Sequence, residues 1–220
     1  AGRKPRVCRC IESDSGKFVM AFGKIVICGV GLIGGSLALS LRRSGYRGNI
    51  VGLERNREIL SRAHALGIVD DAGSSPEDTF RDADLLVLAV PVAQTANVLR
   101  SVMPYLPDGM IITDTGSTKT NVVAMAREVM GAQVGRFVPA HPIAGREMNG
   151  PEAATDDLFL GKKTVITRLA ENRREDIERI AEGVWRIQGC AQLDEVSEVL
   201  NVEFSEIFDT FSGFVWDAIG

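Results

Sequence analysis

The residues best able to move a proton sit in two short segments. One is Ala140-His141-Pro142-Ile143-Ala144-Gly145, and the other is Asp114-Thr115-Gly116-Ser117-Thr118-Lys119. Each follows an apolar run, so each is expected at the mouth of a sheet, where reacting groups gather in α/β folds. There His141 can accept a proton from a substrate hydroxyl as hydride leaves the same carbon. The plainer alternative is a histidine bonded to backbone. The second histidine, His64, lies between Ala63 and Ala65 on a predicted helix and reads as a partly exposed helix residue. Ser117 can bond a substrate or orient His141, and it also suits a helix N-cap. Lys119 is either an attractor for an anionic substrate or a solvated lysine of a first helical turn. Arg146 and Glu147 border the His141 segment, as a gate or as surface charge.

A third segment carries backbone chemistry. Gly29-Val30-Gly31-Leu32-Ile33-Gly34 follows a predicted strand and opens a predicted helix, the context in which such glycine spacing binds a dinucleotide. Gly29 permits the tight turn, Gly31 lets backbone approach a pyrophosphate, and Gly34 lets the helix pack close to the sheet. The start of that helix, with Leu32, Ile33 and Gly34, offers N–H groups to phosphate. Ser36 is expected to add a hydroxyl nearby. Glu54 ends the second strand about 20 residues past Gly34, where an acid takes the adenosine ribose hydroxyls. Its charge favours NAD. Arg55 and Arg57 keep NADP open, because a nearby arginine can hold a 2′-phosphate. Val90 and Pro91 are expected on the adenosine side.

Holding these segments together takes alternating strands and helices. The runs 24–28, 50–53, 85–90 and 110–113 are short, apolar and rich in β-branched residues, as buried parallel strands are. A further strand is weakly signalled around Ile68-Val69. Phe137-Val138-Pro139 leads into the loop expected to hold His141, and 164–167 is a later strand. Helices are predicted over 32–43, 57–66, 94–103, 119–130 and 172–188, with Gly45 and Gly67 stopping the first two. The fold class is therefore α/β, a Rossmann-type doubly wound parallel sheet followed by a short helical C-terminal segment.

Composition sets the outer bounds. The 220 residues carry a formal net charge of -4, which gives no field favouring nucleic acid or an anionic membrane. No apolar run reaches the length of a membrane span. The four cysteines, Cys8, Cys10, Cys28 and Cys190, fit no zinc spacing, and a reducing cytoplasm is the simplest home. Residues 1–23 read as a disordered extension, 24–169 as the NAD(P)-binding domain, and 170–220 as a helical segment. Met20 is a candidate natural start, because Met20-Ala21-Phe22-Gly23 leads straight into the first strand.

Taken in order, Gly29 to Ser36, Ala89-Val90-Pro91, Asp114 to Lys119 and His141 to Glu147 resemble the prephenate/arogenate dehydrogenases of tyrosine biosynthesis. Phe159-Leu160-Gly161-Lys162 and its following strand resemble them too. The resemblance implies NAD(P)-dependent oxidative decarboxylation of prephenate to 4-hydroxyphenylpyruvate, or of arogenate to tyrosine. In family terms His141 bonds the ring hydroxyl and takes its proton, and Ser117 helps position hydroxyl and nicotinamide. Lys119, Arg146 and Glu147 are candidates for substrate contact.

The family continues into a helical domain that dimerises and supplies an arginine for the substrate carboxylate. Here no histidine follows His141, and the last arginine is Arg186. The expectation is a chain cut short, binding NAD but oxidising little prephenate. Val196, Val199, Leu200, Phe204, Ile207, Phe208 and Phe211 recur at helical spacing in its tail. The competing readings are an inactive or truncated dinucleotide-binding module and a β-hydroxyacid dehydrogenase-type reductase.

Overall fold

Consecutive apolar residues can be satisfied in a strand only when both faces of its sheet are covered. The computed structural model, which describes residues 9–12, 18–73, 75–167, 169–172, 177–181 and 184–187, meets that demand. Its strands are β1 (Arg9–Glu12), β2 (Phe18–Ala21), β3 (Lys24–Cys28), β4 (Asn49–Leu53), β5 (Asp71–Ala72), β6 (Leu85–Leu88), β7 (Ile111–Asp114), β8 (Phe137–Val138), β9 (Ala140–Pro142), β10 (Thr164–Ile166), β11 (Ile177–Ala181) and β12 (Val184–Ile187). Its helices are α1 (Leu32–Arg43), α2 (Arg57–Ala65), α3 (Pro76–Phe80), α4 (Thr95–Val102) and α5 (Lys119–Met130). Six strands form one parallel sheet in the order β5-β4-β3-β6-β7-β8. The order reverses between β3 and β6, so the ligand crevice of this fold lies above their C-terminal ends.

Alternation along each strand divides the core in two. Ile25 and Ile27 of β3, with Ile50 and Val87, pack under Leu37 and Leu41 of α1 and Leu60 of α2. Val26 and Cys28, with Val51 and Leu86, face Phe80 of α3, Leu99 of α4 and Val122 of α5. Cys28 is buried, and desolvation pushes its thiol up to about 12, with the Glu54 charge adding to the effect. We expect Cys28 to resist iodoacetamide in the folded protein and to react only after denaturation. Peptide mass spectrometry reads the result, and equal labelling in both states would show that this face of the sheet is open.

The helix ends follow ordinary capping chemistry. Asn56 Oδ1 accepts from the N–H groups of Glu58 (2.9 Å) and Ile59 (3.4 Å) at the start of α2. Ser75 Oγ accepts from Asp78 N at 3.1 Å, and Pro76 occupies the first position of α3, where its missing N–H costs nothing. The segment 150–161 returns over α1 as a strap. Ser36 Oγ accepts from Thr155 N at 3.0 Å, Ser40 Oγ donates to the Asp156 carbonyl at 3.1 Å, and Leu158 and Phe159 complete the core on that side. No described helix is long and apolar enough to cross a membrane.

Several elements differ from the sequence reading. The strand expected at Ile68-Val69 is displaced to β5, because both side chains turn into the core on the α1 side of the sheet. His141 lies on β9, antiparallel to β10 and opposite Val165, rather than in a loop. The helix expected over 172–188 is replaced by β11 and β12, paired antiparallel. Ile177, Ile180, Val184, Trp185 and Ile187 are β-branched or aromatic, and Gly183 separates the two runs, which suits a strand pair better than a helix. Asn172 is an anchor: its Oδ1 accepts from Leu169 N at 2.7 Å, and its Nδ2 donates to the Gly135 (3.0 Å) and Phe137 (3.1 Å) carbonyls. The stretch read as an N-terminal extension contains β1 and β2, also paired antiparallel. The apolar spacing between Val196 and Phe211 lies outside the described residues.

Candidate functional site

The glycine loop leaves β3 through Gly29, whose φ of +92° disfavours any L side chain. A Cβ there would stand 2.4 Å from the Ala89 carbonyl oxygen, so the loop and the end of β6 touch through backbone. Gly34 is tighter, since a Cβ would lie 2.0 Å from the Gly29 carbonyl oxygen. Gly31 is the opposite case. It caps α1 with no side-chain bond, and a Cβ on it would meet nothing within 4 Å. The first turn of α1 holds no acid, while Arg42 and Arg43 close the last turn. The positive end of the helix is thus unneutralised and sterically open, as a pyrophosphate requires.

Leu32 is buried in the core and Ile33 packs against it, so both serve the loop through backbone. Ser36, expected near the phosphates, is fully buried and holds the 150–161 strap; that expectation is corrected. Glu54 sits half-buried just past β4, its Oε1 accepting from Asn56 N at 3.1 Å. Arg55 and Arg57 are exposed beside it. Val90 is half-buried, with Cγ1 against Gly29, and Pro91 is exposed. The cradle, the free helix end and the acid together fit a dinucleotide.

The second half of the site is built on Asp114, the last residue of β7, which is buried. Its Oδ2 accepts from Gly116 N at 2.8 Å and pairs with Lys119 Nζ; its Oδ1 accepts from Ala140 N at 3.2 Å. Lys119 Nζ also donates to the Ala140 carbonyl at 2.6 Å. Burial pushes the Asp114 carboxyl up and the Lys119 ammonium down, while their pairing opposes both shifts. Lys119 is therefore not a solvated first-turn lysine, and two of its three protons are spent inside the protein. Removing either partner strands a buried charge, at a cost of about 3–5 kcal/mol.

His141 is half-buried, and its Nδ1 lies 3.1 Å from the Thr115 carbonyl oxygen. A carbonyl only accepts, so Nδ1 carries the proton and a neutral ring presents a bare Nε2. The backbone-bonded and base-competent readings of His141 are thus compatible. Ser117 is exposed, and the N-cap of α5 is Thr118, with no side-chain cap bond; Ser117 is not the cap expected from sequence. Arg146 and Glu147 are exposed beyond β9, and Arg146 Nη2 stands 3.4 Å from Asp157 Oδ1. His64 is exposed on α2, its Nε2 3.0 Å from the Asp70 carbonyl. The C-terminal ends of β3, β4, β6 and β7 thus lead into the glycine loop, Glu54, Val90 and Ser117, and the contact of His141 Nδ1 with the Thr115 carbonyl ties β9 to the end of β7. Asp114 was missed by sequence reasoning as a working residue. Its signal was a carboxylate ending a buried strand five residues before a lysine.

Comparison with known proteins places this geometry in context. The family model for the nucleotide-binding domain of prephenate dehydrogenase matches residues 37–191. A prephenate dehydrogenase of Lactococcus lactis is 35% identical over 153 residues, covering 69% of this chain and 43% of that protein. A cyclohexadienyl dehydrogenase of Zymomonas mobilis is 33% identical over 172 residues, covering 78% and 58%. A crystal structure of Aquifex aeolicus prephenate dehydrogenase, in complex with hydroxyphenyl propionate and NAD+, superposes with a TM-score of 0.67 at 30% identity, over 91% of this chain and 58% of that one. The chain thus spans about half the length of the relatives it matches.

Proposed function

Since the chain belongs to the prephenate dehydrogenase family, we propose that its Rossmann domain binds NAD and supplies the hydride-transfer half of a site that oxidatively decarboxylates prephenate or arogenate. The observation that carries this reading is the 3.1 Å contact between His141 Nδ1 and the Thr115 carbonyl oxygen. That bond leaves Nε2 as the acceptor, beside the end of β7.

Gly29, Gly31 and Gly34 shape the cradle, with the backbone of Leu32 and Ile33 turned to the pyrophosphate. Glu54 takes the ribose hydroxyls, beside Arg55, and Val90 and Pro91 flank the adenosine. Repulsion between Glu54 and a 2′-phosphate makes NAD the preferred cofactor. When bound, NAD supplies the acceptor for the hydride. His141 Nε2 takes the proton of the ring hydroxyl as that carbon is oxidised. Ser117 donates to the same oxygen and steers it. The ring carboxylate leaves as carbon dioxide, its bonding electrons aromatise the ring, and the resulting phenolate takes the proton back from His141. Arg146 and Glu147 form the solvent rim of this site. Lys119 is not assigned to substrate, because its Nζ is held by Asp114 and Ala140.

The test is direct. Prephenate or arogenate is added with NAD, and the absorbance of reduced cofactor is followed alongside calorimetric NAD binding. Binding with reduction supports the proposal, and binding with no reduction on either substrate reduces the chain to a cofactor-binding module. Within that assay His141→Asn is expected to lower turnover by about 10²–10⁴ with unchanged NAD affinity. Unaltered turnover would remove His141 from the chemistry.

A further inference from the structure

Ala140, the residue preceding His141, has both its backbone polar groups held by one ion pair. Asp114 Oδ1 accepts the Ala140 N–H, and Lys119 Nζ donates to the Ala140 carbonyl. The two side chains are joined to each other, and Asp114 is immediately followed by Thr115, whose carbonyl receives His141 Nδ1. Donor and acceptor of the tautomer-setting bond therefore hang from the same buried pair, one on each side.

We propose that the Asp114–Lys119 pair is a positioning device for His141: by clamping the Ala140 backbone on both sides it holds Nδ1 against the Thr115 carbonyl and keeps Nε2 bare. This rests on the reading of His141 as the base, but its physical content is the state of the ring. β9 is only three residues long, and among the described residues it pairs with β10 alone. So short a strand cannot set a ring by ladder bonds alone. Backbone on β7, the first turn of α5 and β9 instead meet at one carboxylate and one ammonium. A salt link of this kind also explains why a lysine is kept where burial works against its charge.

The chain suits the test, because it has only two histidines and His64→Gln leaves one. Long-range proton–nitrogen NMR of the ring, on the full chain at a pH where imidazole is neutral, distinguishes the Nδ1–H from the Nε2–H form. In His64→Gln the Nδ1–H form is expected to make up nearly all of the signal. Adding Lys119→Met should release the ring toward the Nε2–H form that free histidine prefers, so that Nδ1–H becomes the minority. The paired variant, Asp114→Asn with Lys119→Met, strands no charge and should give the same redistribution in a folded protein. Calorimetric NAD binding should stay unchanged in both.

An Nε2–H ring before any change at the pair would overturn the proposal. So would an Nδ1–H ring that persists in both variants. Loss of the fold in both would assign the pair to general stability and equally reject a positioning role. None of these readings uses substrate. A chain that fails to reduce NAD yet shows the expected ring states refutes the proposed function and leaves this one standing.

Discussion

Gly31→Asp is expected to abolish NAD binding while leaving the melting temperature unchanged or slightly raised. The residue has room, since a Cβ meets nothing within 4 Å and its φ of -82° suits any L residue. Aspartate is a good N-cap, better than glycine by a few tenths of a kcal/mol, and its charge at the helix start adds about 0.3–1 kcal/mol. The same charge occupies the place a pyrophosphate must take. At ~4 Å and an effective dielectric of 20, like charges cost about 4 kcal/mol, roughly a thousandfold in affinity. Calorimetry for binding and a thermal melt for stability separate the two effects. A variant that still binds NAD tightly would remove the α1 N-terminus from the cofactor site.

Gly34→Ala, three residues on, is expected to do the reverse in cause and the same in outcome. Its Cβ would lie 2.0 Å from the Gly29 carbonyl oxygen, 2.9 Å from Ile27 Cγ2 and 3.1 Å from Ala89 Cβ. Backbone cannot rotate aside as a side chain can, so α1 must lift from β3. Overpacking of this kind costs about 3 kcal/mol, which corresponds to a fall of about 10 °C in melting temperature for a chain of this size. NAD binding is lost because the cradle is distorted, not because a charge repels it. A melt within a degree of the parent would mean that the helix stands further from the sheet than described.

The parts of the fold legible in the sequence were those with a long enough pattern. β3 and α1 follow from an unbroken apolar run and a glycine turn, and α5 begins and ends where its periodicity does. β9 has three residues, too few for any period, so His141 was expected on a loop. α3 carried its signal in Ser75-Pro76-Glu77-Asp78, a cap followed by proline and acids, but five residues are too short to show a face. For 172–188 the spacing of apolar residues satisfied a helix while the residue types favoured strands. The glycine spacing, an acid at a strand end and a histidine before proline are local signals, so Gly29, Gly31, Gly34, Glu54 and His141 could be proposed from sequence. The partners of Ser36 and Lys119 could not. Thr155 lies 119 residues after Ser36, and the Ala140 carbonyl 21 after Lys119, and only the tertiary fold brings them back.

The strap over α1 has a consequence in time. The glycine loop is made early, but Ser36 and Ser40 wait for Thr155 and Asp156, and Gly35 for Ala154, whose Cβ would stand 2.8 Å from one built on that glycine. Ribosomes add about 5–20 residues per second, so an interval on the order of 10 s separates the two halves of this contact. During it the nascent α1 has its outer face uncovered, and water rather than the strap bonds Ser36 and Ser40. The cofactor cradle is thus among the first parts of the domain to be synthesised and among the last to be finished. Cofactor present during synthesis meets a completed helix end only after His141 has also emerged, so the two halves of the site come of age together.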